Sequence, residues 1–365
     1  MNYKDTLILL NNGIGPKNII IENLIDYFGN IEDIIDNFIE YEKDLDFIND
    51  KDKSKIKSLI NNRNINEMKK TIREKNINVI TIFDKEYPVK LKYIENFPYI
   101  LYTKGNIKDL NIISKNISIV GSRKATNYGK WVCEKFSKDL SLRDVCITSG
   151  LAIGIDSIAH KTCLENNGTT IAVLGCGVDN VYPKRNKRLY EHIIKKGLIV
   201  SEFPIRSNAM PYNFPYRNRI ISGLSDGVLV IEASDKSGTL ITATYAAEQN
   251  KEIFAVPGNI DSYLSKGTNQ LIREGAKITT RIDDIMEELN WQDNKTSNKK
   301  LDLNLDKFDK IEKEIVELLK EGSKNIIEIS EKTSVKQQDL LSKLTILEMQ
   351  GIISQEKGKN FRIKN

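Results

Sequence analysis

The stretch that decides the fold is Ser118–Lys130, SIVGSRKATNYGK. An apolar run enters Gly121 and a helical pattern opens a few residues later, the outline of a strand, turn and helix in a nucleotide-binding α/β unit. A dinucleotide site asks for a second glycine two places on, where the backbone must approach a pyrophosphate. Arg123 stands there instead. The fold is therefore suggested by a turn whose chemistry calls for some other anion.

On both sides of this turn, from about Ile80 to Leu289, short apolar runs alternate with amphipathic helical stretches. The strand candidates are Ile117–Gly121, Val145–Ser149, Thr170–Leu174, Leu198–Glu202, Gly227–Ala233 and Ile253–Val256. They are rich in Val and Ile and lack period-two alternation, as strands buried on both faces do. Tyr128–Leu142, Ser157–Asn166, Lys187–Lys196 and Leu240–Gln249 read as helices between them. This order predicts an α/β fold: a Rossmann-like, doubly wound, mostly parallel sheet with ligands at the carboxyl ends of its strands.

The core is expected to span residues 76–290. Before it, residues 1–75 predict a helical N-terminal domain. There NNGIGPKNIIIENLIDYFGN (11–30) is similar to a helix-hairpin-helix turn, whose free amides can hold a phosphate, but the acidic balance of the segment favours a helical packing domain. Residues 291–307 are polar and aperiodic and predict a linker. Residues 308–365 predict a winged-helix domain, with helices followed by a two-stranded wing around Lys357–Asn360. Its candidate recognition helix, Val335–Gln350, sets Lys336 and Lys343 against Asp339 and Glu348. That balance favours a protein-contact or regulatory role over phosphate binding.

Composition narrows the function. The chain has 365 residues, 40% hydrophobic and 29% charged, enough for two or three domains with their own cores. Neither a secretion signal nor a membrane-spanning run is found, which predicts a cytoplasmic protein. Cys133, Cys146, Cys163 and Cys176 show no C-x-x-C spacing and predict buried reduced thiols. With two histidines, His160 and His192, a metal centre is not expected. Residues 76–300 carry a net charge of +7, against −2 for 1–75 and 0 for 301–365, so the core is the part suited to a polyanion.

Each strand of the core runs into a loop of one chemical kind. Gly121-Ser122-Arg123 follows the first strand, SGLAIGID (149–156) the second and GCGVDNVYPKRN (175–186) the third. The fourth leads to NFPYRNRIISG (213–223) and the fifth to SGTLIT (237–242). Glycines let a ligand reach the backbone, and hydroxyls, guanidinium groups and helix-start amides donate to phosphate oxygens. In a parallel sheet these loops share one edge and predict one long anionic site. Taken singly, Arg217 and Arg219 could instead cap a helix or pair with Glu202, and Lys184, Arg185, Lys187 and Arg188 could be a solvated helix face.

Neither G-x-G-x-x-G after the first strand nor a Walker G-x-x-x-x-G-K-[ST] is present. No nucleophile beside a base and no carboxylate pair can be picked out, so the site predicts binding without catalysis and without a cofactor. His160 reads as a helix-face residue. Tyr212, Phe214 and Tyr216 interleave with prolines just before Arg217 and Arg219. Cations for phosphates beside rings for exposed bases form the combination expected of a single-strand binder.

Together these segments resemble the family of DNA-processing protein A, also called DprA or Smf. The resemblance rests on IVGSRKATNYG, SGLAIGIDSIAHKTCL, AVLGCGVDNVYPKRNKRLY, FPYRNRIISGLSDGVLVIEA, SGTLITATYAAEQNK and FAVPGNI, in that order. It implies a recombination mediator that is not an enzyme, forms homodimers, binds single-stranded DNA, protects incoming DNA during natural transformation and helps load the RecA recombinase. By matching position it implies a phosphate-binding turn at Gly121, Ser122 and Arg123, and a glycine loop at Gly150, Leu151, Ala152 and Gly154. It also implies DNA contacts at Lys184 and Asn186, a base-contacting ring at Phe214, a basic helix start at Arg217, Asn218 and Arg219, and a hydroxyl turn at Ser237, Gly238 and Thr239. Relatives place a lysine where Pro211 stands here, so Arg206 or Lys184 is expected to substitute. KSGTLITATYAAE also echoes nucleotide phosphoribohydrolases of the lysine-decarboxylase-like family, but without their doubled glycine and with Glu248 further along. A transcription regulator acting through the last domain is a third reading.

Overall fold

A computed structural model describes residues 1–61, 65–106, 110–291, 309–320, 324–333, 335–349, 352–356 and 360–363. The chain divides into two compact units, Met1–Gln292 and Asp293–Asn365. The first begins with α1 (Tyr3–Ile14), α2 (Asn18–Phe28), α3 (Ile34–Tyr41), α4 (Asp50–Asn61) and α5 (Ile65–Glu74). Asn2 caps α1 by accepting from the Asp5 amide, and α2 stops at Gly29, whose φ of 72° is left-handed.

The sheet follows as β1 (Asn78–Thr81), β2 (Ile100–Gly105), β3 (Asn116–Val120), α6 (Asn127–Leu142), β4 (Cys146–Ser149), α7 (Ile155–Glu165), β5 (Thr170–Val173), α8 (Lys187–Lys196) and β6 (Leu198–Ser201). It continues through α9 (Asn213–Leu224), β7 (Gly227–Val230), α10 (Gly238–Glu248), β8 (Glu252–Ala255), α11 (Lys266–Arg273), β9 (Lys277–Ile278) and α12 (Asp283–Glu288). The strand order is β1-β2-β6-β5-β4-β3-β7-β8-β9. From β6 to β9 every neighbouring pair is parallel, and β1–β2 and β2–β6 are antiparallel. The expected mostly parallel sheet is present, with an antiparallel edge pair that the apolar runs did not announce.

Both faces of the sheet are covered, which is why its strands are apolar throughout. Val228 and Val230 of β7 pack with Ile220 of α9 and Ala243 of α10, while Leu229 between them packs with Phe136 of α6 and Ala159 of α7. Right-handed crossovers on the two sides of β3 produce that division. The order reverses between β3 and β7, the point at which doubly wound sheets open a crevice. The helices of residues 3–74 share one apolar cluster with the sheet, in which Leu7, Leu10 and Phe38 join Tyr99, Tyr102 and Ile199. The four cysteines are buried and free.

His160 faces inward from α7 rather than lying on an open helix face. It is fully buried, with Nδ1 2.7 Å from the Thr170 hydroxyl, which itself donates to the Ile147 carbonyl. Burial, reinforced by the Arg217 charge, pushes its pKa from 6.5 down to about 3. Between those values the unfolded chain binds one proton more than the folded one. Stability therefore falls as pH drops below 6.5, by about 1.4 kcal/mol per unit once the unfolded histidine is charged. Urea unfolding from pH 7 to 5 should show this slope, and His160→Asn, which keeps a donor for Thr170 without a titrating ring, should flatten it.

The second unit contains α13 (Lys310–Lys320), β10 (Lys324–Asn325), α14 (Ile326–Thr333), α15 (Gln337–Met349), β11 (Ile353–Glu356) and β12 (Asn360–Ile363). Its strands form an antiparallel sheet in the order β10-β12-β11, with Ile353 opposite Ile363. Ile315, Ile329, Leu340, Leu344 and Phe361 make a core of their own. Of the expected linker, all but Trp291 lies outside the described residues, as do residues 357–359 of the expected wing turn.

Candidate nucleic-acid interface

The site is organised by α9. Read as a loop, NFPYRNR offers two rings and two arginines to one ligand; as a helix from Asn213 it divides them. Pro215 falls within the first turn, where a missing N–H costs nothing. At 100° per residue, Phe214, Arg217 and Asn218 share one face, and Tyr216 and Arg219 lie on another.

The second face turns inward. Arg219 donates from Nη1 and Nη2 to the two carboxylate oxygens of Glu202 at 2.8 and 2.6 Å, and the two residues are 3% and 1% exposed. Its guanidinium lies 4.1 Å from the Tyr216 ring centre, and the Tyr216 hydroxyl donates to the Pro16 carbonyl at 2.7 Å. The expectation that Arg219 contacts DNA is thereby corrected: its charge is spent on Glu202, the bland pairing its sequence position allowed. Tyr216 likewise anchors α9 to the α1–α2 turn and offers no free ring.

The first face looks onto the strand tips. Arg123, exposed after β3, holds its guanidinium 5.6 Å from the Phe214 ring centre. Tyr182, from the loop after β5, lies 5.2 Å from the same ring at 32°. Arg217 sits beneath them, 5% exposed, donating from Nη1 to the carbonyls of Gly150 (3.0 Å) and Val173, and from Nε to Asn218 Oδ1 (3.2 Å). These bonds make Arg217 a brace between the ends of β4 and β5 and not a mobile phosphate ligand. Burial pulls its pKa down to about 10 against the pull of Asp156, so it stays charged at neutral pH and adds a fixed positive field. Asp156 accepts from the Gly150 and Ala152 amides and curls the glycine loop around this charge.

That loop is tightly fitted. Gly154, at φ 85°, approaches the Ser122 carbonyl so closely that a Cβ would overlap it, and Leu151 holds a left-handed φ of 55° with its side chain fully buried. A Cβ on Gly150 would stand 2.5 Å from Arg217 Nη2 and 2.8 Å from Asp156 Oδ2. Because both groups are pinned, Gly150→Ala should cost about 1–3 kcal/mol of stability, measurable by urea unfolding.

The other expected residues play several parts. Asn186 donates to the Leu151 and Ala152 carbonyls at 3.0 and 3.4 Å and so props the glycine loop. The Ser122 hydroxyl accepts from the Lys124 amide at 3.0 Å and shapes its own turn. Ser237 caps α10 by accepting from the Thr239 amide, and Asn218 Nδ2 reaches the Gly238 carbonyl at 3.4 Å, linking α9 to that turn. Lys184 is exposed beside cis-Pro183. Arg206 leaves the site, because its guanidinium meets Thr71 at 3.2 Å and Glu67 at 3.9 Å on α5, so it does not stand in for a lysine at Pro211.

Arg123, Ala152, Gly175, Tyr182, Phe214 and Arg217 enclose a notch of about 90 Å³. That is room for a phosphate or the edge of a ring at the bottom of an open cleft. The place a pyrophosphate takes in dinucleotide enzymes, the start of the helix after the first strand, is filled from within. The Glu232 carboxylate accepts from the Thr126 amide at 3.0 Å and the Thr126 hydroxyl at 2.5 Å, giving α6 its own anion. Among the described residues no group of three or more His, Cys, Asp or Glu is placed to hold a metal ion.

The family model for DNA recombination-mediator protein A matches residues 78–290. DNA processing protein DprA of Bacillus subtilis is 43% identical over 212 residues, 58% of this chain and 70% of that protein. Protein Smf of Escherichia coli is 45% identical over 206 residues, 56% of this chain and 54% of that protein. The X-ray structure of DNA processing protein A from Streptococcus pneumoniae superposes with a TM-score of 0.68 at 34% identity, covering 79% of this chain and 99% of that one. A structure of DNA processing protein A from Helicobacter pylori, described for its single-stranded DNA binding mode, gives a TM-score of 0.53 at 29% identity over 59% of this chain and 95% of that one.

Proposed function

This chain belongs to the DNA recombination-mediator protein A family, and on that premise we propose that it binds single-stranded DNA along the carboxyl edge of its parallel sheet and breaks no bond in it. The observation that carries the reading is Arg123 poised over Phe214, above the buried charge of Arg217. A cation for the phosphate and a ring for the base, set beside a small open notch, suit a ligand that lies across the site and is held at many points. Paired bases cannot stack on Phe214, so duplex should bind weakly. Phosphate contacts fall to Arg123 and Lys184, the backbone around Gly121 and Gly150 to Gly154, and the Ser237-Gly238-Thr239 turn.

On the same reading the protein acts in the cytoplasm as a homodimer, shields incoming single strands during natural transformation and loads the RecA recombinase onto them. Residues 1–75, 76–290 and 308–365 serve as helical domain, DNA-binding core and winged helix. The order of helices and strands in the second unit supports the last assignment. Lys343 of α15 is held by Asp309 and by Glu312 at 3.2 Å, which supports a protein-contact or regulatory role there over phosphate binding.

The test is competition at one salt concentration, with labelled oligo-dT displaced by unlabelled single strand, duplex or AMP. Single strand should displace at far lower concentration than the other two. Equal displacement by duplex sinks the reading, as does release of adenine from AMP at an enzymatic rate. The carboxylate which that hydrolysis would recruit, Glu248, stands exposed at the far end of α10, about 15 Å from its first turn.

A further inference from the structure

Between α7 and α8 the surface opens into a groove of about 600 Å³. Its upper end touches Ser157 and Asn186, level with the strand tips, and its lower end reaches Lys195 and Lys196 in the last turn of α8. Ile158, Leu164 and Leu189 line it with apolar surface. Lys161, Arg185, Arg188, His192 and Lys195 stand along it with one carboxylate, Glu165. The Lys161–Glu165 pair, at 3.6 Å between two exposed side chains, neutralises little. Among the described residues no carboxylate pairs with Arg185, Arg188 or Lys195.

Helix electrostatics explains only part of this charge. Lysines in the last turn of α8 suit the negative end of its dipole. Arg185, Lys187 and Arg188 crowd the opposite, positive end, where the first turn holds no acidic residue. That arrangement opposes the dipole and repels itself, a cost that a bound polyanion would offset. Position makes the same point. Asn186, at the head of the groove, donates to the carbonyls of Leu151 and Ala152, and Ala152 lines the notch beneath Phe214, so the head of the groove is bonded directly to the loop that walls the notch.

We propose that the α7–α8 groove is a second segment of the DNA track, taking the sugar-phosphate backbone of the nucleotides that leave the strand-tip notch. This rests on the function proposed above and extends its site down one flank of the sheet. Sugars and base edges lie on the apolar surface, and the phosphates meet the cations beside it.

The test compares oligo-dT of about 6 nucleotides, within the reach of a single site, with one of about 30. In the full chain, Lys161→Ser, Arg188→Ser and Lys195→Ser are combined; all three side chains are exposed, and an unchanged melting temperature verifies the fold. For the long oligonucleotide, affinity at low salt should fall by about tenfold or more, and the slope of log K against log salt should shrink by about 2, near 0.7 per lost phosphate contact. The short oligonucleotide should bind within about twofold of the unaltered protein, while Arg123→Ala weakens both. An unchanged long-oligonucleotide slope overturns the track, as does an equal loss for both lengths, which would mean a diffuse field. If the unaltered protein binds neither length, the proposed function fails, and the track with it.

Discussion

Replacing Glu202 with alanine should lower the stability of the first unit by about 3–5 kcal/mol, the usual cost of leaving one member of a buried ion pair without its partner. Arg219 would remain 3% exposed with no anion beside it, and its Nε already lacks a hydrogen-bond partner. Asn18 Nδ2, 3.4 Å from Glu202, would lose an acceptor as well. Urea unfolding measures the effect, and the double variant Glu202→Leu/Arg219→Met separates its causes. If the single loss comes from a stranded charge, the apolar pair should recover most of it. A single variant that loses under about 1 kcal/mol would show that water reaches this pair and that burial does not set its energy. The functional consequence follows from α9. The pair and Tyr216 fix the inner face of the helix against β6 and the α1–α2 turn, and thereby aim Phe214 at the notch.

The core was legible because burial on both sheet faces demands continuous apolar runs, and β3 to β8 begin within about three residues of the runs that foretold them. β1, β2 and β9 were not legible. β2 is placed by long-range antiparallel pairing onto β6 and β1 by pairing onto β2, and β9, Lys277–Ile278, is only two residues long. Of the site, Arg123, Phe214 and Arg217 were foreseen, and they do meet around one notch. Arg219 and Tyr216 were misplaced because NFPYRNRIISG was read as a strand-tip loop, all of whose donors and rings face one ligand. Applying the helical period from Asn213 would have separated the two faces. Tyr182 was hidden, since a tyrosine within a glycine-rich loop shows no partner until Phe214 is folded beside it. Glu232 was hidden for the same reason: its role as the anion at the start of α6 depends on β3 and β7 being neighbours, which no local pattern states.

Phe214→Ala and Arg123→Ala should both weaken single-strand binding, and salt should tell them apart. Loss of the ring removes stacking, about 1–3 kcal/mol for one base, or roughly 5- to 150-fold in affinity, with the slope against log salt unchanged. Loss of the guanidinium removes a phosphate contact, so affinity falls and the slope shrinks by about 0.7. The two effects should not add, because in the free protein the Arg123 guanidinium lies 5.6 Å from the Phe214 ring centre and helps to hold it. The double variant should therefore lose less than the sum of the singles. Tyr182, 5.2 Å from Phe214, predicts a third behaviour: with a ring beside it removed, Phe214 should stack less well at an unchanged slope. Binding titrations of the unaltered protein and the four variants at three salt concentrations decide the matter. A Phe214→Ala slope that shrinks as much as that of Arg123→Ala would mean that the ring positions the arginine and never touches a base. Two additive losses would mean that ring and cation grip separate parts of the strand.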